Sequence, residues 1–232
     1  MLRTRLAFSR WYVRHFVRPH FEALGEGSLF FKPWTAVVHG PGVRAGRFLH
    51  VIGEPGQEVR LSVWTEGPTH GRITLGDYVL LLPGVRMSSA SSIRIGDGCM
   101  LAAGVYLTDA DWHDIQDRTR PVGRTAPIVL EDNVWIGDGA FVGKGVTIGA
   151  NSVVGARSVV TRDVPPDVVV AGNPAAVVRH LDPAQARVTR ASLFDAPATE
   201  IERRQRYVQW LALRENSPAG WLRARWAPRP TD

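Results

Sequence analysis

Six residues separate each of Leu130, Ile136, Val142, Ile148, Val154 and Val160. A strand repeats its facing every two residues and an α-helix every 3.6. A period of six is a multiple of the first and far shorter than a helical repeat unit, so it predicts a parallel β-helix wound from hexapeptides. The blocks LEDNVW, IGDGAF, VGKGVT, IGANSV, VGARSV and VTRDVP each open on an aliphatic residue, and four of the six place Gly second. The fifth position holds Val134, Ala140, Val146, Ser152, Ser158 and Val164, all small or β-branched. A large and a small residue on the same face can share a narrow interior, and Gly suits a corner where φ turns positive. Three blocks make one triangular coil, so 130–165 spans two coils stacked at about 4.8 Å.

Upstream the period persists with slips. Leu75, Leu81, Met87 and Ile93 keep it, and a new phase starts two residues later at Ile95 and runs through Leu101 and Leu107. Val37, Val43 and Leu49 fit a weaker first coil, whereas 53–72 is too rich in Gly, Pro and charge to assign. The expected fold class is all-β. Its organisation is a basic amphipathic helix over 1–25, irregular coils over 26–72, a regular β-helix over 73–181 with a loop insertion at 108–127, and an extension over 182–232 with a helix at about 199–215. Cys99 is the single cysteine and falls at the small fifth position of IGDGCM, which predicts a buried structural thiol and a reducing compartment.

The net charge of +6 is uneven. Residues 1–20 carry Arg3, Arg5, Arg10, Arg14 and Arg18 and no acid. They hold no continuous apolar run, which argues against a signal peptide or a membrane span and for a cytoplasmic protein. Leu2, Leu6, Val13, Phe16 and Val17, with Trp11 and Tyr12, form a rough helical stripe. Such a helix can cap the solenoid or a neighbouring subunit, or lie on anionic lipid at the inner face of a membrane. Nucleic acid is not an expected partner, because no recognised module accompanies the charge. In the extension, Thr199 and Glu202 form a capping box ahead of Ile201, Tyr207, Val208, Trp210 and Leu211, and Trp221, Arg223, Arg225 and Trp226 follow.

The coil that begins at Ile95 breaks after Leu107, and TDADWHDIQDRTRPVGRTAP intervenes before the repeat resumes near Ile128. Insertions in a solenoid map to loops, and loops on rigid scaffolds carry function. This one holds Asp109, Asp111, His113, Asp114, Asp117, Arg118 and Arg120. Of the seven histidines, only His113 sits at the lip of a well-formed coil within a charge cluster. An imidazole there is placed to exchange a proton near neutral pH, and from position alone a solvated surface histidine is an equal reading.

The stretch from Pro127 to Leu181, which contains NVWIG, VVTRDVPP, AGNPA and VVRHL, resembles the hexapeptide-repeat acyltransferases, and within them the maltose, galactoside and nodulation-factor O-acetyltransferases. The resemblance extends more loosely from Ile73. It implies a left-handed parallel β-helix, a homotrimer with active sites between subunits, and acetyl-CoA or another acyl-CoA as donor. It implies that His113 is the general base and that the amide of Asp138, where relatives often carry Ser, meets the oxyanion. Coenzyme contacts fall on Trp135, Ala156, Thr161, Arg162 and Arg179. Trp135 is equally consistent with a packing role, Arg162 replaces the commoner Lys, and Ala176 stands where some relatives have Arg. Galactoside-type members bind sugar through an upstream Asn; YVLLLPGVRMSS has none and places Leu82 and Pro83 there. That argues against a simple disaccharide acceptor and leaves Asp109, Asp111, Arg118 and Arg120 as the candidate acceptor contacts.

The expected function is therefore an acyl-CoA-dependent O-acyltransferase, with acetyl as the expected group, acting on a hydroxyl of a carbohydrate or glycoconjugate. A trimeric scaffold without catalysis is the main alternative. A carbonic anhydrase of the same fold would need three converging histidines. Those at 15, 20, 39, 50, 70 and 180 do not recur at one phase on neighbouring coils, so no metal is expected.

Overall fold

The computed structural model describes residues 2–66, 69–195 and 226–227. The predicted helix at 199–215, its capping pair and Trp221, Arg223 and Arg225 lie outside them. The described residues divide into two compact units, Arg3–Thr189 and a second that includes Arg190 onward. In the second, Arg190–Phe194 forms a 3-10 turn.

The first unit is a three-faced solenoid. The first face stacks Ala23–Leu24, Val43–Ala45, Ile73–Leu75, Ile93–Ile95, Ile128–Leu130 and Thr147–Ile148. The second stacks Leu29–Phe31, His50–Ile52, Leu80–Leu81, Met100–Leu101, Trp135–Ile136, Val153–Val154 and Val168–Gly172. The third stacks Ala36–His39, Val59–Val63, Arg86–Ser89, Tyr106–Thr108, Phe141–Val142 and Val159–Val160. Every pairing within these stacks is parallel, and the chain visits the faces in the same order on each coil. An antiparallel strand, Ala175–His180, then closes the second face.

Inward residues alternate along each strand, as in Val43 and Ala45 or Ile93 and Ile95, and the interior is almost wholly aliphatic. Cys99 is one of them, fully buried, with its thiol donating to the Glu131 carbonyl at 3.1 Å. Burial pushes that thiol up to about 12.

Register explains the slipping period. In the lower coils Val129 pairs with Thr147, Trp135 with Val153 and Phe141 with Val159, a spacing of three hexads. In the upper coils Ile73 pairs with Ile93, Leu80 with Met100 and Arg86 with Tyr106, two residues longer. The additional pair lies at the corner between third and first faces. Larger insertions leave from the same corner: a hairpin of Thr65–Glu66 with Thr69–His70, and the loop after Thr108.

Two boundaries differ from expectation. The N-terminal helix ends at His20, and Ala23–Leu24 already pairs with Val43–Ala45. The region read as irregular contains regular strands, including Val59–Val63 with Val59, Leu61 and Val63 inward. The Gly- and Pro-rich stretches on either side of it are corner excursions that conceal the strand between them.

The helix runs through Leu2–Tyr12, a π turn at Val13–Val17 and a 3-10 turn at Arg18–His20. Val17 and Phe21 enter the core, and Tyr12 and Val13 pack against it. The open end of a solenoid would otherwise expose its interior to water, so this packing supplies a cap. The outward side is also apolar: Phe8, Trp11 and Phe16 are about half exposed, as is Trp34 beside them. Their rings touch through Tyr12, with centroids 4.9 Å apart for Tyr12 and Phe16 and 6.3 Å for Tyr12 and Trp34. Arg10, Arg14 and Arg18 are exposed on the same helical segment. Among the described residues, no helix is long and apolar enough to cross a membrane.

Candidate active site

The insertion is anchored at its root. Asp109, expected to face an acceptor, is fully buried. Its carboxylate accepts from the Ala90 amide at 2.7 Å, the Ser91 amide at 3.0 Å and the Ser89 hydroxyl at 2.7 Å. These bonds fasten the loop to the corner one coil above. Both oxygens are occupied there, so Asp109 is corrected from an acceptor contact to a structural anchor.

Beyond it the two arms of the loop pair. The Asp111 amide donates to the Arg124 carbonyl at 2.9 Å, the Gly123 amide donates to the Asp111 carbonyl at 2.7 Å, and Ala110 bridges Thr125. A Cβ at Gly123 would sit 2.6 Å from the His113 carbonyl oxygen, so glycine is what lets the arms approach. Asp111 is also tied to Lys144 by a 2.6 Å ion pair. Trp112 donates its indole N–H to Thr108 at 3.1 Å and leans on Trp64. His113 follows on this braced stem and is exposed. Its neighbour Asp114 accepts from the amides of Asp117 and Gln116, which hold its carboxyl below the ordinary range. Asp117 is likewise lowered by the Thr119 hydroxyl and amide. Arg118 donates to the Ile115 carbonyl at 3.1 Å, and Arg118 and Arg120 are exposed. Sequence reasoning does not single out Lys144, Trp112, Trp64 or Ser89 as parts of this assembly.

A second group gathers where the second face turns into the third. Trp135 projects outward, about half exposed, between Met100 and Val153. Gly137 must be glycine, because a Cβ there would meet the Ala156 amide nitrogen at 2.6 Å. Asp138 is exposed at the corner, and its carbonyl accepts from the Arg157 amide at 2.7 Å. Ala156 is exposed one coil below. An open cleft of about 560 Å³ follows this corner from Gln57 to Arg157, along Gly84, Gly104 and Gly139, with Asp138 in its wall.

The remaining candidates stand elsewhere. Thr161 and Arg162 are exposed just after the third-face strand Val159–Val160. Arg179 is exposed on the closing strand opposite Val169, and Ala176 opposite Ala171. The loop carrying His113 is rooted at one edge of the prism, while Asp138 occupies another, with the third face between them. Within one chain the backbone topology roots these two groups apart. Among the described residues, no three His, Cys, Asp or Glu side chains gather as a metal site.

Sequence comparisons agree with this architecture. The bacterial transferase hexapeptide (six repeats) model matches residues 127–162, and the hexapeptide repeat of succinyl-transferase matches 73–109. The two matches flank the insertion. Galactoside O-acetyltransferase of Escherichia coli (strain K12) is 42% identical over 93 residues, covering 39% of this chain and 45% of that protein. The chain thus spans less than half the length of this curated relative. Among solved structures, AntD, an N-acyltransferase from Bacillus cereus, in complex with dTDP and 3-hydroxybutyryl-CoA, superposes with a TM-score of 0.53 at 14% identity, covering 86% of this chain and 96% of that one. A point mutant of AntD in complex with dTDP and coenzyme A gives 0.59 at 16% identity, covering 84% of this chain and 95% of that one. The shared fold is a left-handed parallel β-helix, and residues 73–109 and 127–162 of the chain carry the hexapeptide repeats of bacterial transferases.

Proposed function

We propose that this chain is an acyl-CoA-dependent O-acyltransferase, with an acetyl group as the simplest cargo and a carbohydrate or glycoconjugate hydroxyl as acceptor. The observation that carries the proposal is the presence of an exposed histidine on a braced loop and of an exposed corner residue, Asp138, beside a cleft at another edge, in a chain 42% identical over 93 residues to a galactoside O-acetyltransferase.

His113 takes the proton from the acceptor hydroxyl as its oxygen attacks the thioester carbon. The Asp138 N–H meets the developing oxyanion. Collapse expels the coenzyme thiolate, which recovers the proton from the imidazolium, so no covalent enzyme intermediate is needed and Cys99 takes no part. A positioned base contributes about 10²–10⁴-fold. A single oxyanion donor contributes about 10²–10³-fold. Ala156 offers backbone to the pantetheine arm, Trp135 walls the cleft, and Thr161, Arg162 and Arg179 meet phosphates. Asp111 acts on the loop through Lys144, and Arg118 and Arg120 at its tip contact the acceptor.

Because the loop root and the corner lie on different edges, the working site forms between copies in a homotrimer, with His113 from one subunit facing Asp138 of the next. The exposed aromatics of the N-terminal helix and the flanking Arg10, Arg14 and Arg18 favour peripheral contact with anionic lipid, where a membrane-presented acceptor would be reached.

The test is release of free coenzyme thiol from acetyl-CoA across a panel of sugar and glycoconjugate acceptors. His113→Ala should lose at least a hundredfold in kcat while still binding acetyl-CoA. Full activity in that variant would refute the mechanism, and failure to bind any acyl-CoA would favour the scaffold.

A further inference from the structure

The cleft contains more positive charge than the corner chemistry uses. Arg60, Arg86 and Arg157 all line it, against two carboxylates, Glu58 and Asp138. Glu58 is occupied: its own amide, then the Gly56 amide at 3.3 Å and Arg60 at 3.4 Å, hold its carboxyl below the ordinary range. Among the described residues, neither Arg86 nor Arg157 is paired with a carboxylate.

Arg60 and Arg86 are in direct register on adjacent strands of the third face. Like charges directly opposite in a sheet destabilise it. The arrangement is also preorganised, because the Arg86 guanidinium lies over the Tyr106 ring at 4.4 Å, and Tyr106 packs edge-on against Phe141. Two neighbouring planar forks, one braced by an aromatic face and facing an open cleft, match the oxygens of a phosphate.

The position along the cleft also matters. Arg86 pairs with Tyr106 and Tyr106 with Phe141, so Arg86 stands two coils above the coil of Asp138. Two coil steps are about 10 Å, a span that one phosphorylated sugar ring bridges. The coenzyme contacts proposed for Ala156, Thr161, Arg162 and Arg179 lie on the coils below.

We infer that Arg86 and Arg60 bind an anionic group of the acceptor, so that the acceptor is a phosphate-bearing glycosyl compound rather than a neutral sugar. This rests on the acyltransferase reading for the identity of the cleft's other occupant. It explains the absence of an upstream Asn by replacing hydroxyl recognition with anion recognition.

The test is calorimetric titration of the full chain with acetyl-CoA, and then, with coenzyme A saturating, with glucose and glucose 1-phosphate. Glucose 1-phosphate should bind at least tenfold more tightly than glucose. The R60Q/R86Q variant should lose that preference with acetyl-CoA affinity unchanged, and R94Q, which removes an exposed charge on the first face, should keep it. If the double variant does not fold, R60Q alone decides, with at least a threefold loss expected. Equal affinity for the two sugars, or a preference that survives R60Q/R86Q, would overturn the inference. Two further arms, uridine diphosphate glucose in buffer and a polyprenyl-diphosphate sugar in detergent micelles, separate a soluble phosphate compound from a lipid-linked one, and Arg-dependent binding in either supports the site. Failure of acetyl-CoA to bind would count against the acyltransferase reading alone, because the Arg dependence is still read with the sugars.

Discussion

Replacing Asp109 by alanine should destabilise the fold and release the His113 loop together. The carboxylate receives three donors: the buried Ala90 amide, the Ser91 amide and the Ser89 hydroxyl. The hydroxyl has a second acceptor in the Arg72 carbonyl at 3.0 Å, so it can turn away. Two amides are then left without a partner, at about 1–3 kcal/mol each, for a total near 4 kcal/mol. For a domain of this size, 1 kcal/mol moves the melting temperature by about 2–4 °C, so a fall of roughly 8–16 °C is expected. Asparagine keeps one acceptor oxygen and should fall between wild type and alanine. The assay is thermal unfolding followed by circular dichroism at fixed protein concentration, alongside turnover of acetyl-CoA. Since Asp109 roots the loop that carries His113, kcat should drop more than acetyl-CoA affinity. A melting point within about 2 °C of wild type, half the shift that a single kcal/mol can give, would refute the assignment of Asp109 as an anchor.

Gly137→Ala forces a Cβ to 2.6 Å from the Ala156 amide, so the corner must open; melting should fall, and acetyl-CoA binding with it, as read by calorimetry. Cys99 should resist alkylation in the native state at about pH 8 and react on unfolding, because burial holds its thiol up at about 12. The sign follows: the unfolded thiol ionises first, near pH 8.5. Stability is therefore full below that pH and declines as pH rises toward about 12, a slope that Cys99→Val should reduce in alkaline denaturant titrations. The variant F8A/W11A/F16A should lose sedimentation with anionic lipid vesicles while retaining its melting point, since these side chains are about half exposed; undiminished sedimentation would exclude the helix as the contact.

The hexad is readable because a narrow prism admits little but aliphatic side chains, so the sequence repeats the geometry directly. The slip at Ile93 and Ile95 is visible but not interpretable from sequence, because two extra residues at one corner keep every inward position while breaking the count. Val59–Val63 carries an ordinary inward-outward alternation, and it escapes notice because charge and glycine on both sides outweigh five residues. In the loop, the acidic and basic candidates look equivalent; what separates Asp109 is a corner of serines one coil above, and that contact depends on a register no local pattern reveals. The Arg60 and Arg86 pair is hidden for the same reason, since the hairpin after Val63 makes their separation unlike that of any other stacked pair on the third face. His113 stands out by its place at a break in the period, a signal of position that says nothing by itself about chemistry.

The central claim is that the base and the oxyanion corner of one working site belong to different chains. Co-expression of His113→Ala with Asp138→Pro, which removes the corner N–H, each inactive alone, tests it directly. Random mixing in a cyclic trimer leaves about a quarter of the interfaces with an intact histidine on one side and an intact oxyanion corner on the other. The co-expressed trimer population should therefore recover about one quarter of wild-type turnover, and trimers purified as mixed about one third. Activity no higher than that of the two parent variants would contradict the claim and place the whole site within a single chain.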